Sequence, residues 1–76
     1  MKRNDKRTAV FLKQLGLKIA TVRKEKKITQ IELGLRCNIE KPYISLIESG
    51  GTNPTIVTLK KIADALDISI DELLKF

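Results

Sequence analysis

The cations are the most informative side chains of this 76-residue sequence, because they are numerous and unevenly placed. Lys and Arg number 15 against nine Asp and Glu, and residues 1–27 hold ten of these cations but only two of the acids. A positive charge concentrated in one segment favours binding to a polyanion such as DNA. The composition is equally compatible with a plainer role for the same charges, which is to keep the protein soluble.

Side chains that commonly catalyse reactions or bind metals are scarce. The sequence has no His and a single Cys, Cys37, so general base catalysis at neutral pH lacks its commonest residue. A single Cys also excludes an intramolecular disulfide and a zinc cluster. Because so short a chain forms one domain and cannot hold a large cavity beside its core, we expect no enzymatic activity, no cofactor and no metal.

The hydropathy pattern contains no signal peptide and no membrane segment. The N-terminus is charged, and no apolar run approaches the roughly 18 residues that a membrane span needs. We therefore expect a cytoplasmic protein that has no membrane partner.

Apolar side chains recur at helical spacing through most of the chain, after a basic and polar segment that we assign to a flexible arm over residues 1–8. The first helix is expected to end near residues 26–27, and its buried stripe is predicted to consist of Phe11, Leu15, Ile19 and Val22. Further helices are predicted over about 29–36, about 41–49, from about 55, and over about 69–74. The second and the last open with capping boxes. We expect one all-α domain of five short helices over residues 9–76.

The spacing within residues 30–49 predicts two short helices joined by a sharp turn. Asn38 stands where the chain must reverse, because Asn tolerates left-handed backbone angles. Gly34 is small enough for the two helices to approach each other closely. The apolar anchors of the two buried faces are Leu33, Cys37, Ile39, Ile44 and Ile47. This arrangement is typical of a helix-turn-helix, and it places Cys37 in the core, where a redox role is not expected.

Residues 29–54 (TQIELGLRCNIEKPYISLIESGGTNP), followed by LKKIADALDISIDELL, resemble the Cro/C1-type helix-turn-helix regulators of the XRE family. The Tyr-Ile-Ser sequence after Glu40-Lys41 is most similar to the controller proteins of restriction–modification systems, and short phage and chromosomal repressors come close behind. The resemblance implies a lambda-repressor-like fold and a sequence-specific regulator of transcription. Its third helix would lie in the major groove of double-stranded DNA, and its second across the backbone.

If Ile44 and Ile47 face the interior, the outward side chains of the third helix are those of Lys41, Pro42, Ser45, Leu46 and Ser49, and Tyr43 lies at the edge. Lys41 is then the best candidate for reading guanine, and Leu46 for touching a thymine methyl group. The DNA-contacting residues that we predict from the resemblance and this geometry are Thr29, Gln30, Glu40, Lys41, Pro42, Tyr43, Ser45, Leu46, Thr52, Asn53 and Thr55.

Several of these side chains also have a plainer interpretation. Lys41 is alternatively a solvated surface lysine, and the ring of Tyr43 alternatively lies at the edge of the core. The loop residues 52–55 are alternatively engaged in ordinary turn and capping chemistry. Because the third helix carries one cation, affinity is expected to depend also on Lys26, Lys27 and the basic arm, for which minor-groove binding and disorder both remain open.

The resemblance also implies an ion pair between Arg23 and Glu48 that joins the first helix to the third. The C-terminal segment is more apolar than a monomer needs, so we predict a homodimer interface formed by Ile68, Ile70, Leu73, Leu74 and Phe76. Two copies would read half-sites about 34–36 Å apart. The alternative function is a protein-interaction module, such as an antitoxin or a regulator subunit, with weak or indirect DNA binding.

Overall fold

The computed structural model describes residues 6–76, which form five α-helices with no strand among them. The helices are α1 (Lys6–Glu25), α2 (Gln30–Cys37), α3 (Lys41–Glu48), α4 (Ile56–Ala65) and α5 (Ile70–Leu73). The predicted all-α fold is confirmed. Residues 1–5 of the predicted arm lie outside the described residues, and residues 6–8 belong to the first turn of α1.

All five helices contribute side chains to one core, and α4 packs against α2. α3 packs against α1 and α2, and α5 packs against α4 and α1. A Cβ atom at Gly16 would overlap the carbonyl oxygens of Ile47 and Glu48, so α1 and α3 meet at backbone contact there. The largest fully buried side chains are Ile19, Leu33, Ile44, Ile47, Ile62, Leu66 and Leu73.

The predicted buried stripe of α1 is wrong at its N-terminal end. Leu12 faces the core and is 9% exposed, whereas Phe11 points outward and is 49% exposed. A step of three residues from Leu12 to Leu15 suits a helix as well as a step of four from Phe11, so periodicity alone does not choose between these neighbours. The ring of Phe11 instead lies 5.4 Å from that of Phe76, centroid to centroid.

Three helices end at a left-handed residue that is not glycine. Lys27, Asn38 and Asp67 have φ angles of 59°, 58° and 58°. Each is followed by an isoleucine that packs on or within the core and whose amide donates to a carbonyl five residues back, as in a Schellman motif. These hydrogen bonds join Ile28 to Arg23 (3.1 Å), Ile39 to Gly34 (2.8 Å) and Ile68 to Ala63 (3.0 Å). The turn at Asn38 has the conformation that its residue type predicts.

Only the first of the two predicted capping boxes is complete. The Thr29 hydroxyl accepts from the Glu32 amide at 3.0 Å, and the Glu32 carboxylate accepts from the Thr29 amide at 2.9 Å. This second bond, from the Thr29 backbone, is the main reason why the pKa of Glu32 is lowered. At α5, Ser69 accepts from the Glu72 amide at 3.0 Å, but the Glu72 carboxylate pairs with Lys18 at 3.3 Å.

Candidate DNA interface

The orientation of α3 determines which of its side chains can meet a ligand. Ile44 is fully buried and Ile47 is 2% exposed, so these two residues form the inner face of the helix. Lys41, Pro42 and Leu46 are exposed on the other side. The described part of the chain offers Lys41 no salt-bridge partner, and its charge therefore remains available to an anion.

The remaining predicted residues of α3 are less free than their spacing suggests. Tyr43 is half-buried and packs against the core, which is the plainer of its two interpretations. Ser45 is half-buried, and Glu40, the N-terminal cap residue of α3, is exposed and makes no side-chain capping hydrogen bond. Ser45 and Tyr43 are therefore less accessible than Lys41, Pro42 and Leu46.

A three-residue polar cluster joins α1, α2 and α3 beneath this surface. Arg23 donates from Nε to Oε2 of Glu48 at 2.7 Å and from Nη2 to Oε1 at 2.9 Å. Its third donor, Nη1, reaches the Ile28 carbonyl at 2.8 Å. The carboxamide of Gln30 donates from Nε2 to Oε1 of Glu48, also at 2.9 Å. The two charged side chains are only 10% and 7% exposed, and the hydrogen bonds to Glu48 raise the pKa of Arg23.

The link from Gln30 to Glu48 is the feature that sequence analysis missed. The ion pair between Arg23 and Glu48 is present as the resemblance implies, but for Gln30 the sequence predicts a contact with DNA and no contact with Glu48. Because Gln30 is 18 positions from Glu48, no local motif connects them. Only the packing of α2 against α3 brings the two side chains together.

The first turn of α2 presents polar groups beside this cluster. The amides of Gln30 and Ile31 have no acceptor within residues 6–76, as expected at the start of a helix. Such amides bind phosphate oxygens readily, and the helix dipole adds to the attraction. The exposed lysines Lys26 and Lys27 lie just before this turn and, like Lys41, have no salt-bridge partner in residues 6–76.

The loop between α3 and α4 holds three of the predicted DNA-contacting residues, Thr52, Asn53 and Thr55. The Thr55 hydroxyl accepts from the Thr58 amide and lies 3.1 Å from the Thr58 hydroxyl, so it caps α4. Thr52 is half-buried, and Asn53 is exposed between it and the buried Pro54. Of the three predicted loop residues, Asn53 has the side chain most accessible to a phosphate.

Cys37 lies in the core, where its thiol donates to the Leu33 carbonyl at 2.9 Å. Burial raises the pKa of this thiol, which keeps it protonated and unreactive. Within residues 6–76 no cluster of three or more His, Cys, Asp or Glu side chains is arranged to hold a metal ion. None of the five helices is both long and apolar enough to span a membrane.

The predicted dimer surface needs correction at Leu73, which is fully buried inside its own chain and has no surface to offer a partner. Ile68 and Ile70 are half-buried against the core. Leu74 and Phe76 remain 39% and 49% exposed. Exposed apolar side chains of α1 continue the surface next to Phe76, so we define the C-terminal apolar surface as Val10, Phe11, Leu17, Leu74 and Phe76.

The fold and the position of α3 agree with comparisons against known proteins. A profile of the helix-turn-helix family matches residues 19–73. The chain therefore belongs to the helix-turn-helix family, and it is of the Cro/C1 (XRE) type that its sequence resembles. This is a family of DNA-binding transcription regulators and not of enzymes.

Individual relatives fall into the expected groups. An uncharacterised helix-turn-helix transcriptional regulator, y4dJ of Sinorhizobium fredii, is 41% identical over 61 residues, which are 80% of this chain and 79% of the relative. The crystal structure of the restriction–modification controller protein C.AhdI from Aeromonas hydrophila superposes with a TM-score of 0.83 at 29% identity, covering 86% of this chain and 94% of that protein. The biofilm regulator SinR in complex with DNA gives a TM-score of 0.74 at 39% identity, covering 80% and 98%.

Proposed function

We propose that this protein regulates transcription by binding operator DNA as a homodimer, with α3 of each protomer in the major groove. The observation that carries the proposal is the burial of Ile44 and Ile47, because it turns Lys41 outward on an eight-residue helix. A lysine at the start of such a helix can donate to guanine O6 and N7. SinR, which is similar in fold and 39% identical, has been crystallised with DNA.

The first turn of α2 would hold the DNA backbone. Its two free amides, together with Lys26 and Lys27, supply donors and positive charge for phosphates, which fix the register without reading sequence. Lys41, Ser45 and Leu46 would then meet base edges. No part of this surface is assigned a catalytic role, and a regulator of this kind acts in the cytoplasm.

The dimer would use the C-terminal apolar surface. One helix-turn-helix reads only a few base pairs, and a second copy would supply the rest of the specificity. Exposed apolar side chains that cluster around Phe76 are suited to a two-fold contact, in which each copy buries the same patch. Analytical ultracentrifugation tests this assembly: we expect a dimer at tens of micromolar, and a monomer with and without DNA would contradict it.

Binding itself is tested by selecting bound sequences from random DNA and measuring affinity for the selected site and for scrambled DNA. We expect Lys41→Ala to lose about 1–3 kcal/mol on the selected site and to relax the base preference. Lys61→Ala is the matched control, since Lys61 is another exposed lysine with no salt bridge within residues 6–76. Its charge acts on Cys37, which is at the opposite end of α2 from Gln30. If the protein retains selected and scrambled DNA equally at low salt, the function is instead that of a protein-interaction module.

A further inference from the structure

Glu48 lies beneath the proposed DNA surface, and its carboxylate restricts a residue on that surface. Its Oε1 atom accepts two hydrogen bonds, from Nη2 of Arg23 and from Nε2 of Gln30, both at 2.9 Å. Its Oε2 atom accepts from Nε of Arg23 at 2.7 Å. The carboxylate has therefore a fixed orientation, which Arg23 maintains from α1.

This arrangement selects one of the two orientations of the Gln30 carboxamide. A rotation by 180° would exchange Nε2 for Oε1 and would place an acceptor against the carboxylate, with no proton between them. The bond to Glu48 therefore keeps Oε1 and the second N–H of Gln30 directed elsewhere. Gln30 is half-buried at the first position of α2, so these two groups are those that a ligand can meet.

We propose that Glu48 is a positioning residue for DNA binding, which holds Gln30 in the single orientation that contacts DNA. The inference rests on the proposed function. A carboxamide that is already held in place loses less freedom on binding than a free side chain does. A fixed acceptor beside a fixed donor also suits the edge of an adenine, whereas a freely rotating carboxamide would accept either kind of partner.

The variant Glu48→Gln is informative because its two effects on DNA affinity are opposite: it removes a negative charge and it disturbs the bond that positions Gln30. Removing a negative charge near DNA strengthens binding if long-range electrostatics is the only effect. Loss of the fixed carboxylate weakens binding, because the variant has one acceptor oxygen in place of two. In either orientation its NH₂ group faces a donor of Arg23 or of Gln30, so the side chain at position 48 no longer holds Gln30 in place. Glu25→Gln is the matched control: it removes the same charge from an exposed glutamate at the end of α1 that has no salt bridge within residues 6–76.

The experiment is a double-mutant cycle on DNA affinity with variants that circular dichroism shows to be folded. We expect Glu48→Gln to weaken binding about three- to tenfold, the effect of one orienting hydrogen bond. In a Gln30→Ala background we expect the same change to have less than about a twofold effect. Equal losses in both backgrounds, or tighter binding by Glu48→Gln and Glu25→Gln alike, would overturn the proposal. If the unaltered protein does not bind DNA, it is the proposed function that fails.

A second measurement needs only the unaltered protein and holds even if Glu48→Gln does not fold. The chain has two glutamines, Gln14 and Gln30, and Gln14 is exposed on α1. We expect the side-chain NH₂ protons of Gln30 to exchange with water more slowly than those of Gln14 and to resonate away from their free-glutamine positions. Indistinguishable NH₂ signals for the two residues would show that Gln30 is not held, and would overturn the proposal without any DNA measurement.

Discussion

The two ends of α1 meet the rest of the molecule in different ways. Near its C-terminal end, Arg23 is buried and its guanidinium makes three directional hydrogen bonds, to Glu48 and to the Ile28 carbonyl. Near its N-terminal end, Phe11 lies on the surface against Phe76, and about half of each side chain remains exposed. In the first region the charged groups find their partners within one chain. In the second region apolar surface remains in contact with water.

This difference suggests what each region does. A polar cluster joined by four directional hydrogen bonds keeps α1, α2 and α3 in a fixed relation, which suits a surface that must match the groove geometry of a duplex. An apolar surface without such directional contacts is stabilised when another surface covers it, because apolar side chains then leave water. The comparison predicts that substitutions at the first end change the stability of the monomer, and that substitutions at the second end change its assembly.

The largest effect is expected for Glu48→Ala. It leaves the Arg23 guanidinium largely buried with only the Ile28 carbonyl as partner, and an unpaired buried charge costs about 3–5 kcal/mol. A domain of this length has roughly 4–11 kcal/mol in total, so the variant should be close to unfolding. Urea denaturation measures the difference.

The control for this prediction is Lys60→Ala, which removes an ion pair of similar length on the surface. Lys60 and Asp64 are 2.7 Å apart, and both side chains are about 60% exposed. Such a pair contributes about 0.3–0.5 kcal/mol. Similar losses for the two variants would mean that the Arg23 cluster is no more important than a surface pair, and the contrast between the two regions would fail.

A smaller effect, on assembly alone, is expected for Leu74→Asp. Leu74 is 39% exposed, so a carboxylate there remains solvated in the monomer but would be buried without a partner in the dimer. We expect the dissociation constant of the dimer to rise about tenfold or more, with little change in the helical signal. Leu35→Asp is the control, because Leu35 is 78% exposed on α2. A dimer that responds to Leu35→Asp and not to Leu74→Asp would place the interface elsewhere.

The helices and the inner face of α3 could be predicted from the sequence because they depend on local patterns. Local sequence is sufficient to recognise the capping residues, the turn at Asn38 and the spacing of Ile44 and Ile47. The bond between Gln30 and Glu48 could not be predicted, since it depends on how two helices pack. Neither could the choice of Leu12 over Phe11, because adjacent apolar residues compete for one stripe and only the partner helices decide between them.

The burial of Leu73 shows a related limit in the C-terminal segment. All five apolar residues there are compatible with an interface by type, and the sequence does not divide them between core and surface. In the structure α5 is so short that one side chain, Leu73, fills the gap between α4 and α1, while Leu74 next to it stays outside. Tertiary packing therefore decides which of the two is buried, and α5 follows α4 after the turn at Asp67.

That turn can be compared with the turn at Asn38 near the polar end. Both have φ 58°, a conformation that Asn and Asp both adopt at some cost relative to Gly, but the charge of Asp67 also opposes the dipole at the end of α4. We expect Asp67→Gly to raise the free energy of unfolding by about 0.5–1 kcal/mol, and Asn38→Gly to raise it less. Asp67→Asn removes the same charge and separates the electrostatic part. If Asp67→Gly is less stable than the unaltered protein, the left-handed backbone at this turn does not lower the stability significantly.

The smallest effect concerns the two capping boxes, of which only the one at α2 is complete. The bond from the Thr29 amide lowers the pKa of Glu32 in the folded protein, so its stabilisation is present above the unfolded pKa, about 4.3, and is lost as the pH falls through the lower, folded value. Glu32→Gln keeps an acceptor for the same amide but does not titrate. Between about pH 6 and about pH 3 the unaltered protein should therefore lose more stability than this variant, measured as the midpoint of urea unfolding at each pH. Parallel curves for the two proteins would mean that the Glu32 carboxylate has the same proton affinity in the folded and unfolded chains. The complete capping box at α2 would then differ from the incomplete one at α5 in its hydrogen-bond geometry but not in its effect on the pH dependence of stability.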